Sequence, residues 1–402
     1  MKWPDHWKKD WKNDTTCVII VFKMCAYLQY DFDLGGTPME LQFNREPCLI
    51  LEATELLYVF VNQLSPRMLT ADGPYCIPPA EVSAMIEEIC GSLSPEEPTL
   101  RYYFQKYQLL EQAGDTCLAR LMVFSFVNLN ESDPDRSFQA LCDTWDRLRQ
   151  GGYYFTNCKD HGLSMYAPVD SGAIPFAHGL WKLPLPLPCK EQLMEVFSDF
   201  PRHVKRLAAL MKPVMERLGS ALVPWVDRAE PLIRQWEKTL QDQDLARFLQ
   251  TYMLIQTNHP LDSATASLLF FLPNLTPGLV DEKRNLTRFC IGVNIQPQTG
   301  IAMSKLEDWE YTAMRLLGSP ARMEMMNAMR EKPMTSRELS QELGLHLGTV
   351  TRDIRNMHDS RLVIMKLGGS RPHYTVNFDT IRALAQRLLD MCPAPGTVES
   401  EE

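Results

Sequence analysis

The chain has 402 residues, 45% hydrophobic and 23% charged, which excludes a disordered chain and leaves room for two or three globular domains. No run reaches the roughly eighteen uninterrupted apolar residues of a membrane-spanning helix, so no membrane partner is expected. The net charge of −9 argues against a nucleic-acid partner for the chain as a whole, and only its distribution changes that reading.

Residues 1–38 differ in character from the rest of the chain. Trp3, Trp7 and Trp11 stand among scattered charges, and nothing sustains their spacing of four. The apolar run from Cys17 to Leu28 is short, carries Lys23 and has no small-residue cleavage site after it, so it is not read as a signal peptide. Gly35-Gly36 lies just ahead of Met39, as an in-frame translated ribosome-binding site would. Residues 1–38 therefore read either as an extension that is not native, with Met39 the start, or as a disordered arm.

From Met39 onward the periodicity is mainly helical. Met39–Asn44 alternates like a strand. Pro47–Gln63 reads as a helix, and so does the stretch from Ile77 to Leu93, started by Pro79. Helices come next over Thr99–Glu111, Thr116–Asn128 and Ser137–Arg149, the last opened by Asp133-Pro134-Asp135. Between Gly151 and Pro188 the pattern breaks. Tyr153–Phe155 and Leu163–Tyr166 read as short strands, and Pro184, Pro186 and Pro188 as an extended strap. Lys190–Leu218 is helical but divided at Pro201 and Pro213. A further helix spans Pro224–Asp242, interrupted at Pro231. Leu245–Ile255 and Ser263–Leu272 read as shorter helices. Arg288–Gln296 alternates in part and reads as a strand that pairs with Met39–Asn44.

The C-terminal stretch is more legible. Glu307–Leu317 is amphipathic. Ser319-Pro320 caps and opens a helix whose inner face carries Met323, Met326 and Met329. Thr335, Ser336, Arg337 and Glu338 form the sequence of a capping box, and Leu339 and Leu343 point inward behind it. Gly344 ends that helix and makes the turn. The next helix buries Val350, Ile354 and Met357 and presents His346, Thr349, Thr351, Arg352, Arg355 and Asn356, the hydroxyls, guanidiniums and amide that reach bases and phosphates in a major groove. Gly348 fits either a close backbone approach to DNA or simple tolerance near a helix end. Two strands, Ile364–Lys366 and His373–Val376, flank Gly368-Gly369-Ser370 as a hairpin wing from which Lys366, Arg371 and His373 would extend. The predicted DNA-binding set also includes Ser336 and Arg337, in the first turn of the preceding helix. Charge supports this reading. From Tyr311 to Cys392, 12 Lys and Arg stand against 8 Asp and Glu, a balance of +4, and the tail after Cys392 holds Glu399, Glu401 and Glu402, so with a total of −9 residues 1–310 carry −10. A basic module on an acidic body is the asymmetry of a chain in which one domain meets phosphate.

This stretch resembles the DNA-binding domain of the ArsR family of bacterial winged-helix repressors. The matching marks are Leu317-Gly318-Ser319-Pro320 with Arg322, the Thr335 to Leu345 segment, Thr349-Val350 with Arg352 and Ile354, and a wing ending in Tyr374 and Val376. They cover about a sixth of the chain. The resemblance implies a homodimer that reads an imperfect palindrome, one recognition helix per half-site. Metal sensors of that family carry a cysteine pair on the helix before the recognition helix, whereas Glu338-Leu339-Ser340-Gln341-Glu342 has none. The last helix, Asp379–Met391, offers only Asp379 and Asp390. No metal or other cofactor is therefore expected.

In residues 1–310 no phosphate loop, H-E-x-x-H or G-x-S-x-G motif occurs. His161, His178, His203 and His259 lack ligand spacing. The 11 cysteines include no C-x-x-C pair and read as free, mostly buried thiols of a cytoplasmic protein. The expected architecture is mainly α: an extension at 1–38, a large α-rich domain with a few short strands at 39–304, a winged helix-turn-helix at 305–392 and an acidic tail at 393–402. The expected function is non-enzymatic, a DNA-binding transcriptional regulator whose helical domain senses a non-metal small molecule or a partner. A domain that only dimerises or binds proteins, and an enzyme tethered to a DNA-binding head, are the alternatives.

Overall fold

The computed structural model of the protein describes residues 19–21, 40–110, 114–150, 154–159, 161–166, 176–242, 248–249, 255–256, 263–281, 286–297, 308–366 and 372–390. Most of 1–38, the tail after 390 and most of Leu245–Ile255 lie outside them. In chain order the described elements are β1 (Ile19–Val21), β2 (Glu40–Asn44), α1 (Leu49–Val61), α2 (Pro79–Cys90), α3 (Pro98–Phe104), β3 (Tyr107–Gln108), β4 (Asp115–Thr116), α4 (Leu118–Phe126), α5 (Pro134–Gln150), β5 (Tyr154–Lys159), β6 (Gly162–Tyr166), α6 (Phe176–Trp181), α7 (Leu187–Ser198), α8 (Phe200–Arg228), α9 (Glu230–Asp242), β7 (Ile255–Gln256), β8 (Ser263–Leu269), β9 (Gly278–Asp281) and β10 (Leu286–Gly292). The C-terminal elements are α10 (Asp308–Leu317), α11 (Pro320–Ala328), α12 (Ser336–Leu343), α13 (Leu347–Asp359), β11 (Val363–Lys366), β12 (His373–Val376) and α14 (Phe378–Asp390). The fold is mainly α, as expected, and forms two compact units. β1 to α9 and β8 to β10 belong to the first, β7 and α10 to α14 to the second. No helix among the described residues is long and apolar enough to cross a membrane.

The first unit is organised around α1, which is buried on every side from Ile50 to Val59 and packs on α8 and α4. Helix starts obey the expected chemistry. Pro79 and Pro98 occupy first-turn positions, and Glu97 accepts the Leu100 amide at 2.6 Å. Beside the helices lies a five-stranded sheet in the order β1-β9-β10-β8-β2, with β8 parallel to both β2 and β10. Among the described residues Cys48, Cys76, Cys90, Cys117, Cys142, Cys189 and Cys290 form no disulfide, and all of these but Cys142 are buried.

The structure corrects several expectations. Ser263–Leu272 is not a helix: its first seven residues are β8, the strand that separates β2 from β10 and prevents the direct pairing expected of those two. Ser263–Ser267 alternates polar and apolar as a strand does, but the buried run Leu268-Leu269-Phe270-Phe271 that follows carries no period of two and masks it. The helix expected over Thr99–Glu111 stops at Phe104, and Tyr107–Gln108 pairs with Asp115–Thr116. Pro213 and Pro224 do not break α8. Burial of Leu207, Met211, Val214, Met215, Leu218 and Leu222 along one stripe outweighs an interior proline's cost of about 3 kcal/mol. Breaks do fall at Asp199, just before Pro201, as expected, and at Ala229, just before Pro231. The proline strap is shorter than expected, because Pro188 lies inside α7.

α1 also buries charge. The Glu52 carboxylate accepts the amides of Phe270 and Phe271 at 2.6 and 2.8 Å, just beyond β8. Burial pushes its pKa up to about 7, against the pull of those two amides. The native state therefore holds this proton more tightly than the unfolded chain does. Stability from Glu52 is full below the ordinary carboxylate value of 4.5 and is lost as pH rises through about 7. Thermal melts from pH ~5 to ~8 are expected to show the wild type losing stability with rising pH and Glu52→Gln lacking that slope. Identical slopes would remove Glu52 as the cause.

Candidate nucleic-acid interface

The second unit has its own core. Met325, Met326 and Met329 of the α11 segment meet Leu339, Val350, Ile354, Met357, Leu362, Val363 and Val376. Met323, expected inward, is exposed. Spacing by three drifts off a helix face, and Met325 takes the inward place, four residues before Met329. α12 opens with the expected capping box: the Thr335 amide donates to Glu338 at 2.7 Å and the Glu338 amide to Thr335 Oγ1 at 3.2 Å. The Thr335 amide and hydroxyl hold the Glu338 carboxyl below its usual range.

Gly344 ends α12 in the left-handed region at φ 63°. Nothing lies within 4 Å of where its Cβ would be, so Gly344→Ala carries only the conformational cost. It is expected to lower stability by about 1 kcal/mol, with Gly344→Asn milder. Equal melting curves for wild type and the alanine variant would contradict this.

α13 follows, the helix on which the sequence places most of the expected DNA contacts. His346 is its N-cap, Nδ1 accepting the Gly348 amide at 3.2 Å. A Cβ on Gly348 would stand 3.2 Å from that ring, so this glycine leaves room for the cap, a reason distinct from both DNA approach and simple tolerance. Val350, Ile354 and Met357 are buried as expected. Thr351 and Arg352 are exposed, while Thr349, Arg355 and Asn356 are half-buried. Asn356 lines a recess of about 530 Å³ together with Trp309, Thr312, Arg315 and Arg322. Ser336 is half-buried and Arg337 exposed in the first turn of α12. Among the described residues Arg337, Arg352 and Arg355 make no ion pair. The wing is antiparallel, with Lys366 opposite His373 and both half-buried. Arg371 lies outside the described residues. Met334 bridges Tyr374 by two backbone bonds, 2.8 and 2.9 Å, on one side of the wing, and β7 runs parallel to β11 at Met365 and Lys366 on the other.

Sequence reasoning missed the polar contacts beneath this face. Arg322 on α11 donates to Asp353 Oδ1 on α13 at 3.1 and 3.3 Å. Arg387 on α14 makes a two-pronged pair with Glu310 on α10 at 3.1 and 3.3 Å. α13 ends in a Schellman arrangement: Leu362 donates to the Met357 carbonyl at 2.8 Å and Arg361 to His358 at 3.0 Å. Arg361 takes the left-handed position at φ 65° and lays its guanidinium 4.6 Å from the Trp309 ring centre. One signal was available. Asp353 falls on the same helical stripe as Val350 and Met357, where a lone carboxylate demands a cation.

Helix, helix, turn, recognition helix and a two-stranded wing define a winged helix-turn-helix DNA-binding domain. Residues 319–364 match the model of the family described as "Bacterial regulatory protein, arsR family", so the C-terminal head is an ArsR-like winged helix. Two solved structures from Mycobacterium bovis are similar to it. One is a crystal structure of a possible transcriptional regulatory protein, fragment 1–100, at 17% identity and a TM-score of 0.18, covering 21% of this chain and 90% of that one. The other is a solution structure of the homodimeric winged helix-turn-helix DNA-binding domain of a possible ArsR-family transcriptional regulator, at 18% identity and a TM-score of 0.19, covering 26% and 97%. No curated protein matches the chain.

Proposed function

We propose that the protein is a bacterial-type transcriptional regulator that reads a palindromic operator as a homodimer, with the helical unit sensing a non-metal small molecule or a protein partner. The observation that carries this reading is the set of cations, Arg337, Arg352 and Arg355, left without ion pairs among the described residues on the two helices of the reading motif. A guanidinium on an exposed recognition-helix face serves base edges and phosphates alike. In this reading Ser336, His346, Thr349, Thr351, Asn356, Lys366, Arg371 and His373 complete the contact set. Dimerisation is supported by α10 and α14. The Glu310–Arg387 pair sets them side by side, and Tyr311 and Leu389, each next in sequence or close to that pair, are 53% and 64% exposed.

A second reading gives the helical unit no small-molecule ligand, only dimerisation or protein contacts. It is favoured by the way the unit's buried charges answer one another, Glu55 with Arg120 and Glu52 with two backbone amides. Selection of bound sequences from random DNA, then footprinting, tests the shared part. A palindrome protected by two heads supports it, and binding without sequence preference sinks it. A thermal-shift screen of the full chain then separates the readings. A compound that both stabilises the protein and weakens operator binding favours sensing.

A further inference from the structure

We propose that Arg322 and Asp353 form a positioning brace that sets the rotation of α13 about its axis, and through it which bases Arg352 and Arg355 address. This rests on the reading of the head as a DNA-binding module. The apolar stripe of Val350, Ile354 and Met357 that seats α13 is buried, but apolar contact is non-directional and tolerates small rotations. A hydrogen-bonded ion pair does not. Asp353 lies on that stripe, 7% exposed, and two nitrogens of Arg322 converge on its Oδ1 at 3.1 and 3.3 Å. Its neighbours in sequence are the reading arginines: Arg352 precedes it and Arg355 comes two residues on. Arg352 is exposed and Arg355 half-buried, while the carboxylate between them is claimed from α11. A rotation of about 20° at a side-chain radius of ~5–6 Å shifts a side chain by about 2 Å, beyond the tolerance of a hydrogen bond to a base edge. Arg322 also neutralises an acid that would otherwise stand unpaired beneath a surface meant for phosphate.

The test compares the full chain with its Arg322→Met, Asp353→Asn, double and Arg322→Lys variants on the selected operator and on unrelated DNA, each across a salt series. The expected result is a fall of about tenfold or more in the ratio of specific to non-specific affinity for Arg322→Met and Asp353→Asn. Non-specific affinity and the salt slope stay as in the wild type. The double variant is no worse than the worse single, as for two residues in one interaction. Arg322→Lys, which keeps the charge and loses the fork, falls between. A ratio within about twofold of wild type in both singles overturns the brace. So does an equal loss on all DNA with a salt slope lower by about one, which would make Arg322 a phosphate contact. If Arg322→Met fails to fold, Arg322→Lys decides, since wild-type discrimination in it refutes the need for the fork. Failure of the underlying reading looks different: there the wild-type chain itself shows no sequence preference.

Discussion

Arg120→Met is expected to destabilise the N-terminal unit by about 3–5 kcal/mol, the cost of breaking a buried ion pair from one side. Arg120 and Glu55 are both almost fully buried and joined by two bonds of 2.6 and 2.9 Å. The guanidinium also donates to the Asp115 carbonyl at 3.3 Å and lies 3.5 Å from the centre of the Tyr58 ring, whose hydroxyl donates to Asp115. Methionine fills much of the volume but leaves the Glu55 carboxylate in the interior with His161 Nε2, 3.9 Å away, as its nearest remaining cationic candidate. Pairing Arg120→Met with Glu55→Gln removes the stranded charge and is expected to recover a large part of the loss. Urea unfolding monitored by far-UV dichroism measures both, with the units' transitions fitted separately where they part. A loss under about 1 kcal/mol in Arg120→Met would show that water or Glu55 protonation takes over the arginine's role.

Arg352→Ala is expected to weaken operator binding by about 1–3 kcal/mol, roughly ten- to more than a hundredfold, and to relax preference at one position of each half-site. Arg352 is exposed and makes no ion pair among the described residues, so its removal touches neither core nor cap. Stability should stay within about 0.5 kcal/mol. Affinity measured on the selected operator and on single-base variants checks both parts. An alanine variant that binds every site as the wild type does would place Arg352 outside the groove. These two substitutions separate the units' roles: the first lowers the stability of the helical unit, the second the affinity of an intact head.

The head was legible because its signals are local. The Thr335–Glu338 box, proline in the first turn of α11, Gly344 in the left-handed turn and the 350, 354, 357 stripe each depend on residues within a turn or two of helix. The candidate contact residues on α12 and α13 follow from the same short-range rules, and the structure sets Arg337, Thr351 and Arg352 in the open. What escaped were partners far apart in sequence. Nothing near Asp353 announces Arg322, 31 positions earlier, and nothing near Arg120 announces Glu55, 65 positions away. Met323 was misplaced for a smaller reason: counting by threes drifts from the helical period, and only packing shows which methionine keeps the inward register.

The sequence by itself determined that a mainly helical body precedes a winged reading head, because helix caps, turn residues and period are written within a few positions of one another. Tertiary structure alone decided that Ser263–Leu269 is the strand between β2 and β10, that α8 runs through Pro213 and Pro224, that β7 joins the wing sheet, and which buried acids meet which arginines. The physical reason is shared. A buried apolar run such as Leu268–Phe271 has no alternation to identify its element, and a stripe of packing contacts outweighs a local penalty of a few kcal/mol. A desolvated charge, in turn, is satisfied by whichever opposite charge the fold brings within about 3 Å, however distant along the chain.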